Sequence, residues 1–231
     1  MVQSRKRTAA SGPALVRLLA RFADLDVDEP GASLSDRLSQ WLGWTDAIAL
    51  STALSGDPPA ISGARSAGAA QREACARVRA SLANAIAPAK TAAPARHRAP
   101  VQTPIVEVPV DYAVYRQRYL SLQQTMESDI GALRGRLRAV LAAKSDRTAR
   151  LAVVDAVMEQ ALFARERTLF AKVPALLGKH FERMRRAQEA EGAPSAWLDA
   201  FEKDMQSVLL AELDVRFQPV EGLLAACQAA H

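Results

Sequence analysis

Three histidines, two cysteines, three tyrosines, three tryptophans and one arginine-rich stretch are the residues in this sequence whose chemistry needs weighing first. His231 stands four residues after Cys227, a spacing that puts two metal ligands on one helix face. Two ligands fall short of the four that structural zinc takes. His180 sits beside Phe181, with Glu182 next, and lacks the ligand set a metal would need. His97 lies among prolines and reads as solvated. Cys75 and Cys227 are far apart and neither belongs to a Cys-x-x-Cys pair, which fits free buried thiols in a reducing compartment. The phosphate-cradling, dinucleotide-binding, zinc-protease and nucleophile-elbow signatures are all missing from the sequence. With so few histidines, acid–base or triad chemistry has little to work with. We therefore expect a non-enzymatic protein with no cofactor and no metal, and the sequence identifies no small-molecule substrate.

Binding chemistry has more candidates. Trp41 and Trp44 flank Leu42-Gly43, and tryptophan is a favoured interface anchor. The plainer reading is that they fill the core of a small helical region. Tyr112, Tyr115 and Tyr119 share one helical face and offer stacking surfaces. The plainer reading there is a bundle-end layer whose hydroxyls reach water. Arg134, Arg136, Arg138, Lys144, Arg147 and Arg150 gather around a helical turn with Asp146 as the only acid among them. Arg134, Arg136, Arg138, Arg147 and Arg150 are thus candidate phosphate contacts on nucleic acid or a lipid surface. Against that stands a solvated, solubilising tip without any nucleic-acid motif.

The elements that must carry these residues are helices. From Asp111 to Ala229 the sequence is almost unbroken helix former. The first long helix, 111 to about 144, repeats apolar residues every three or four positions, among them Tyr119, Met126, Ile130, Leu133 and Leu137. The second starts at Ser145 or Asp146 and runs towards Glu191 with Leu151, Val154, Met158, Leu162, Leu169, Leu177 and Phe181 in its stripe. Pro174 predicts a kink or break near Lys172. Gly192-Ala193-Pro194 ends it, and the third helix follows from Ser195, with a kink expected at Pro219. Each is roughly 50 to 70 Å long. Short joints make such helices antiparallel neighbours. The expected fold is all-α, a long antiparallel three-helix coiled-coil-like bundle plus a small amino-terminal helical region. The alternative is a helical hairpin completed by a second copy. The third stripe is wider than a strict heptad seam at Leu209, Leu213, Leu223 and Leu224, which favours a homodimer through the long helices.

Upstream, residues 1–10 read as a disordered basic tail and 11–87 as the amino-terminal helical region. Its helices are expected over about Pro13 to Ala23, behind the capping pattern Ser33-Leu34-Ser35-Asp36, from Thr45 to about Leu54, and over about Ala64 to Ala87. Between the first two lies an acidic connection holding Asp24, Asp26, Asp28 and Glu29. Residues 88–110 carry five prolines and read as an extended linker and domain boundary, leaving 111–229 as the long-helix bundle.

The stretch Leu34 to Ser51, LSDRLSQWLGWTDAIALS, preceded by Gly12 to Leu19, GPALVRLL, resembles an uncharacterised proteobacterial family catalogued as a domain of unknown function. The resemblance covers the whole chain, and its distinctive words lie in 12–54. It implies a bacterial protein and carries over no activity, cofactor or catalytic residue. Members of that family lie beside genes for membrane proteins resembling ion-driven motor or cell-wall-anchoring components. That implies a component of a cell-envelope assembly.

Composition bounds the rest. Hydrophobic residues make up 49%, but aromatics only 5%, which suits slender helical bundles. No uncharged run approaches the ~18 residues of a membrane span, and no secretory signal is visible, so a cytoplasmic location is expected. The net charge of +5 sits mainly before residue 111. The expected function is a helical scaffold or adaptor binding a protein partner or itself; the alternative is a nucleic-acid-associated protein using the basic tip.

Overall fold

The computed structural model describes residues 13–23, 33–56, 68–87, 111–191 and 196–229. All eight elements among them are α-helices: α1 (Ala14–Ala23), α2 (Leu34–Trp41), α3 (Trp44–Ser55), α4 (Gly68–Ile86), α5 (Tyr112–Ala142), α6 (Asp146–Phe170), α7 (Val173–Glu191) and α8 (Ala196–Ala229). The expected basic tail, the 88–110 linker, the acidic connection, His97 and His231 lie outside the described residues.

Local chemistry sets the helix starts. The Ser33 hydroxyl accepts from the Asp36 N–H at 3.1 Å, and the Asp36 carboxylate accepts from the Ser33 N–H at 3.2 Å, so two otherwise orphaned donors are satisfied. Asp111 accepts from the Ala113 N–H, and Ser145 from the Thr148 N–H. At α3 the sequence points to Thr45 as the cap, but the cap lies two residues earlier. Asp46 reaches back to the Gly43 N–H at 3.0 Å, which fixes Gly43 as the cap.

The break after α6 falls at Ala171-Lys172, as Pro174 predicts. Its cause is specific. The Phe170 carbonyl would accept from the N–H of residue 174, which proline lacks. The Gln123 side chain donates to that carbonyl at 3.2 Å instead. α8, by contrast, continues as helix on both sides of Pro219.

α5 and α8 form the spine. From α5, Tyr119, Met126, Ile130, Leu133, Leu137 and Leu141 are buried; from α8, Phe201, Met205, Leu209, Leu213, Phe217 and Leu223. α7 supplies Val173, Leu177 and Phe181. α6 gives mainly small residues, Ala149 and Ala152, with Phe170 at its end. The larger residues expected in its stripe sit further out: Leu151 and Leu169 are exposed, and Val154, Met158 and Leu162 are half-buried. α3 packs along α6 instead.

The amino-terminal helices do not build a separate core. Leu15 and Phe22 of α1, and Cys75, Leu82 and Ile86 of α4, join one continuous apolar cluster with the long helices. α4 lies on α5 and α8, and α1 on α7 and α8. This explains the wide stripe of α8. Its extra apolar width is covered within the chain, so the argument for a homodimer through the long helices loses its premise. The ion pairs of Arg79 with Asp214 and Glu221, both 2.6 Å, stitch α4 to α8 at the rim.

Candidate functional site

Inside the spine lies a polar cluster among apolar neighbours. Glu212 is fully buried and accepts from the Tyr119 hydroxyl at 2.6 Å, from Gln123 at 2.9 Å and from the Arg216 Nε at 2.9 Å. Arg216 also reaches Glu166 at 3.2 Å and lies 4.0 Å over the Phe170 ring. Burial raises the Glu166 carboxyl above its ordinary range, with Arg216 pulling the other way. Both carboxylate oxygens of Glu212 are held by these donors. Its effect is to lock the register of α5 against α8 at the level of the α6–α7 break.

A second cluster surrounds His180. Arg183 donates to His180 Nδ1 at 3.0 Å, so Nε2 carries the proton and donates to Asp204 at 2.8 Å. The imidazole stacks on Phe22 with ring centroids 4.3 Å apart, and Arg183 also donates to the Phe22 carbonyl at 2.7 Å. An aspartate–histidine pair invites comparison with a catalytic dyad. Its ring, however, is 7% exposed and pressed between aromatic faces with both nitrogens already bonded. The cluster clamps α1 onto α7 and α8.

The three tyrosines come together near this end, but not with their hydroxyls in water. Tyr112 donates to the Pro174 carbonyl, Tyr115 to Glu202 at 3.3 Å and Tyr119 to Glu212. The rings of Tyr112 and Tyr115 pack on Phe181 and Phe201. Tyr119, at 0% exposed, offers no stacking face to any partner. Burial pushes the Tyr112 hydroxyl up to about 12 against the field of Arg116. Tyr115 is raised by burial and then by Glu202, and Tyr119 by burial and then by Glu212. Each phenol holds its proton more tightly in the folded chain than in the unfolded one. Their stabilisation is complete below the ordinary tyrosine value of ~10 and is lost as pH rises from there through the folded values. An absorbance titration of phenolate in the folded protein is expected to lag behind free tyrosine, with stability falling above pH ~10. Titration at the free-tyrosine value without unfolding would contradict these contacts.

The two tryptophans part company. Trp41 lies under the Arg165 guanidinium at 5.0 Å, joining α2 to α6. Trp44 is 82% exposed, against the expectation of a core residue, and Ile48 and Leu54 of the same helix are exposed with it.

The arginine-rich stretch is not a uniformly solvated tip. Arg134 pairs with Asp155 at 2.7 Å and Glu159 at 3.1 Å, and Arg138 with the same two acids at 3.0 and 2.5 Å. Asp155 and Glu159 are one turn apart on α6 and face α5 across the hairpin, so they neutralise what looks unopposed in sequence. Arg136 and Arg147 remain exposed, while Arg150 is half-buried. Lys144 donates to the Cys227 carbonyl at 2.6 Å.

Among the described residues no cluster of histidine, cysteine, aspartate or glutamate has the makings of a metal site, and no helix is long and apolar enough to cross a membrane. A family model described as Protein of unknown function (DUF3348) matches residues 1–229. The chain belongs to the DUF3348 family. No curated protein and no solved structure matches it.

Sequence reasoning missed the polar centre of this DUF3348 chain. The signal was there: Glu212 and Arg216 stand inside the stripe of Leu209, Leu213 and Phe217, and Gln123 between Tyr119 and Met126. A charged pair one turn apart within an apolar stripe is expensive to bury unless something answers it. What answers it comes from α5, at a separation of 93 residues for Tyr119.

Proposed function

We propose that this chain is a non-enzymatic helical scaffold that docks another helical protein, or a second copy of itself, through the outer face of α3. The observation that carries this is the exposure of Trp44, Ile48 and Leu54, at 82%, 51% and 56%. They lie on the outward side of a helix whose Ala53 is buried against the body. Trp44 and Ile48 are one turn apart, so they form one ridge. An apolar ridge headed by tryptophan, with α6 bracing the helix behind it, suits insertion into a groove on a helical partner. A nucleic-acid surface at the α5–α6 tip has less support, because Arg134 and Arg138 already have carboxylate partners.

The double variant Trp44→Ala/Ile48→Ala is expected to change stability by no more than about 0.5 kcal/mol, as surface substitutions do. It is also expected to abolish association. Light scattering across a concentration series tests the self-docking form against the 24.9 kDa chain mass. A photo-crosslinking residue at position 54, in the native cell, tests the other form. A discrete adduct that disappears with the double variant supports the reading. A monomer at every concentration, together with no variant-sensitive adduct, sinks it.

A further inference from the structure

A groove of about 810 Å³ runs along the outer side of α7, bounded at one edge by the first turns of α5. Its floor is apolar. The Tyr112 ring lies there because Gly178 has no side chain; a Cβ on residue 178 would stand 2.9 Å from Tyr112 Cε1. Its walls are basic: Arg116, Lys179, Arg183 and Arg186. The single acid of the lining, Glu182, is taken by Arg185 at 2.7 Å. Arg116, Lys179 and Arg186 have no anionic partner among the described residues. Elsewhere in the long helices Arg134, Arg138, Arg167, Arg185 and Arg216 all have one. Four cations around one concavity repel one another, and a carboxylate-bearing occupant relieves that repulsion.

We infer that this groove is the docking site of the chain's own acidic run, Asp24-Leu25-Asp26-Val27-Asp28-Glu29. The run lies outside the described residues, and three observations select it. First, α1 ends at Ala23, and the Arg183 guanidinium on the groove's rim donates to the Phe22 carbonyl at 2.7 Å, so the chain leaves α1 at the groove. Second, the lengths agree. The lining of α7 from Pro174 to Arg186 spans about 18 Å at 1.5 Å per residue, and six residues reach about 20 Å. Third, the chemistry matches on both counts. Four carboxylates meet four cations, and Leu25 and Val27 alternate with the acids over an apolar floor. This site is built by α5 and α7, not by α3, and does not depend on what docks there.

Zero-length carbodiimide coupling of the purified full chain tests it. The reagent takes up the carboxylate as an O-acylisourea; a touching lysine amine attacks its acyl carbon, loses a proton and expels the urea that carries the carboxylate oxygen, leaving the amide. Among the described residues, Lys179 is the only lysine lining the groove. The expected product, read by peptide mapping of the monomer, joins Lys179 Nζ to Asp24, Asp26, Asp28 or Glu29. Its yield falls several-fold between about 0.01 M and about 1 M salt, as the Debye length drops from about 30 to about 3 Å. The Lys179→Arg variant, which keeps the charge, loses the product. Changing the run to Asn and Gln (D24N/D26N/D28N/E29Q) makes Lys179 several-fold more reactive to acetylation. The inference is overturned if Lys179 couples to the run only in a dimer, which assigns the groove to a second copy. It is also overturned if coupling is confined to Glu182, or if neutralising the run leaves Lys179 reactivity unchanged.

Discussion

Glu212→Ala is expected to lower the free energy of unfolding by about 3–5 kcal/mol, the cost of breaking a buried ion pair from one side. The carboxylate accepts from a tyrosine, a glutamine and an arginine at once. Its removal leaves the Arg216 guanidinium, 7% exposed, with Glu166 alone, and leaves the Tyr119 hydroxyl without an acceptor in the core. Denaturant unfolding followed by far-ultraviolet circular dichroism gives the difference. A companion variant removes the whole set, as Tyr119→Phe, Gln123→Leu, Glu212→Leu and Arg216→Leu together. It is expected to recover most of the loss, because no charge or donor is then stranded. A single variant within about 0.5 kcal/mol of the natural chain, the range of a surface change, would show that the cluster is not sealed.

Phe181→Ala is expected to cost a similar amount, about 3–5 kcal/mol, for a different reason. No charge is involved. The ring sits 5.0 Å from Phe201, 5.1 Å from Trp197, 5.5 Å from Tyr112 and 5.8 Å from Tyr115, so α5, α7 and α8 meet on it. Truncation opens a cavity that the surrounding rings cannot fill without leaving their rotamers. The same change should blue- or red-shift and broaden Trp197 emission and reduce the near-ultraviolet signal. Loss of less than about 1 kcal/mol would mean that the site collapses readily. Trp44→Ala, a larger truncation by volume, should cost almost nothing, because that ring touches little.

The long helices were legible in the sequence because periodicity is local information. Tyr119, Met126, Ile130, Leu133 and Leu137 advertise their own face, and Pro174 its own break. Pairing is another matter. The stripe of α4, with Cys75, Leu82 and Ile86 among alanines, looks too thin for a core helix until it is laid on α8. The width of α8 looked like a demand for a second copy for the same reason: each half of the contact was visible and the match between them was not. The arginines of the α5–α6 hairpin repeat the lesson. Asp155 and Glu159 lie 17 to 25 residues beyond Arg134 and Arg138, outside any local window. For Trp44 the type of residue misled, since tryptophan is usually covered, and only the buried Ala53 on the opposite side shows which way α3 faces.

The place of α8 in the order of synthesis sets when this chain can fold. α8 touches α1, α4, α5, α6 and α7, and it is the last described helix to leave the ribosome. Arg79 must wait for Asp214, 135 residues later, and Phe22 for Arg183, 161 residues later. At about 5–20 residues per second, that interval is on the order of 10 s. Through it α1 and α4 are made without their partner, and their leucines, Phe22 and Ile86 face the translation machinery and its chaperones. A premature stop before Ala196 would therefore leave α1, α4, α5 and α7 without the α8 face they share, and such a product is expected to be degraded rather than to persist as a smaller domain.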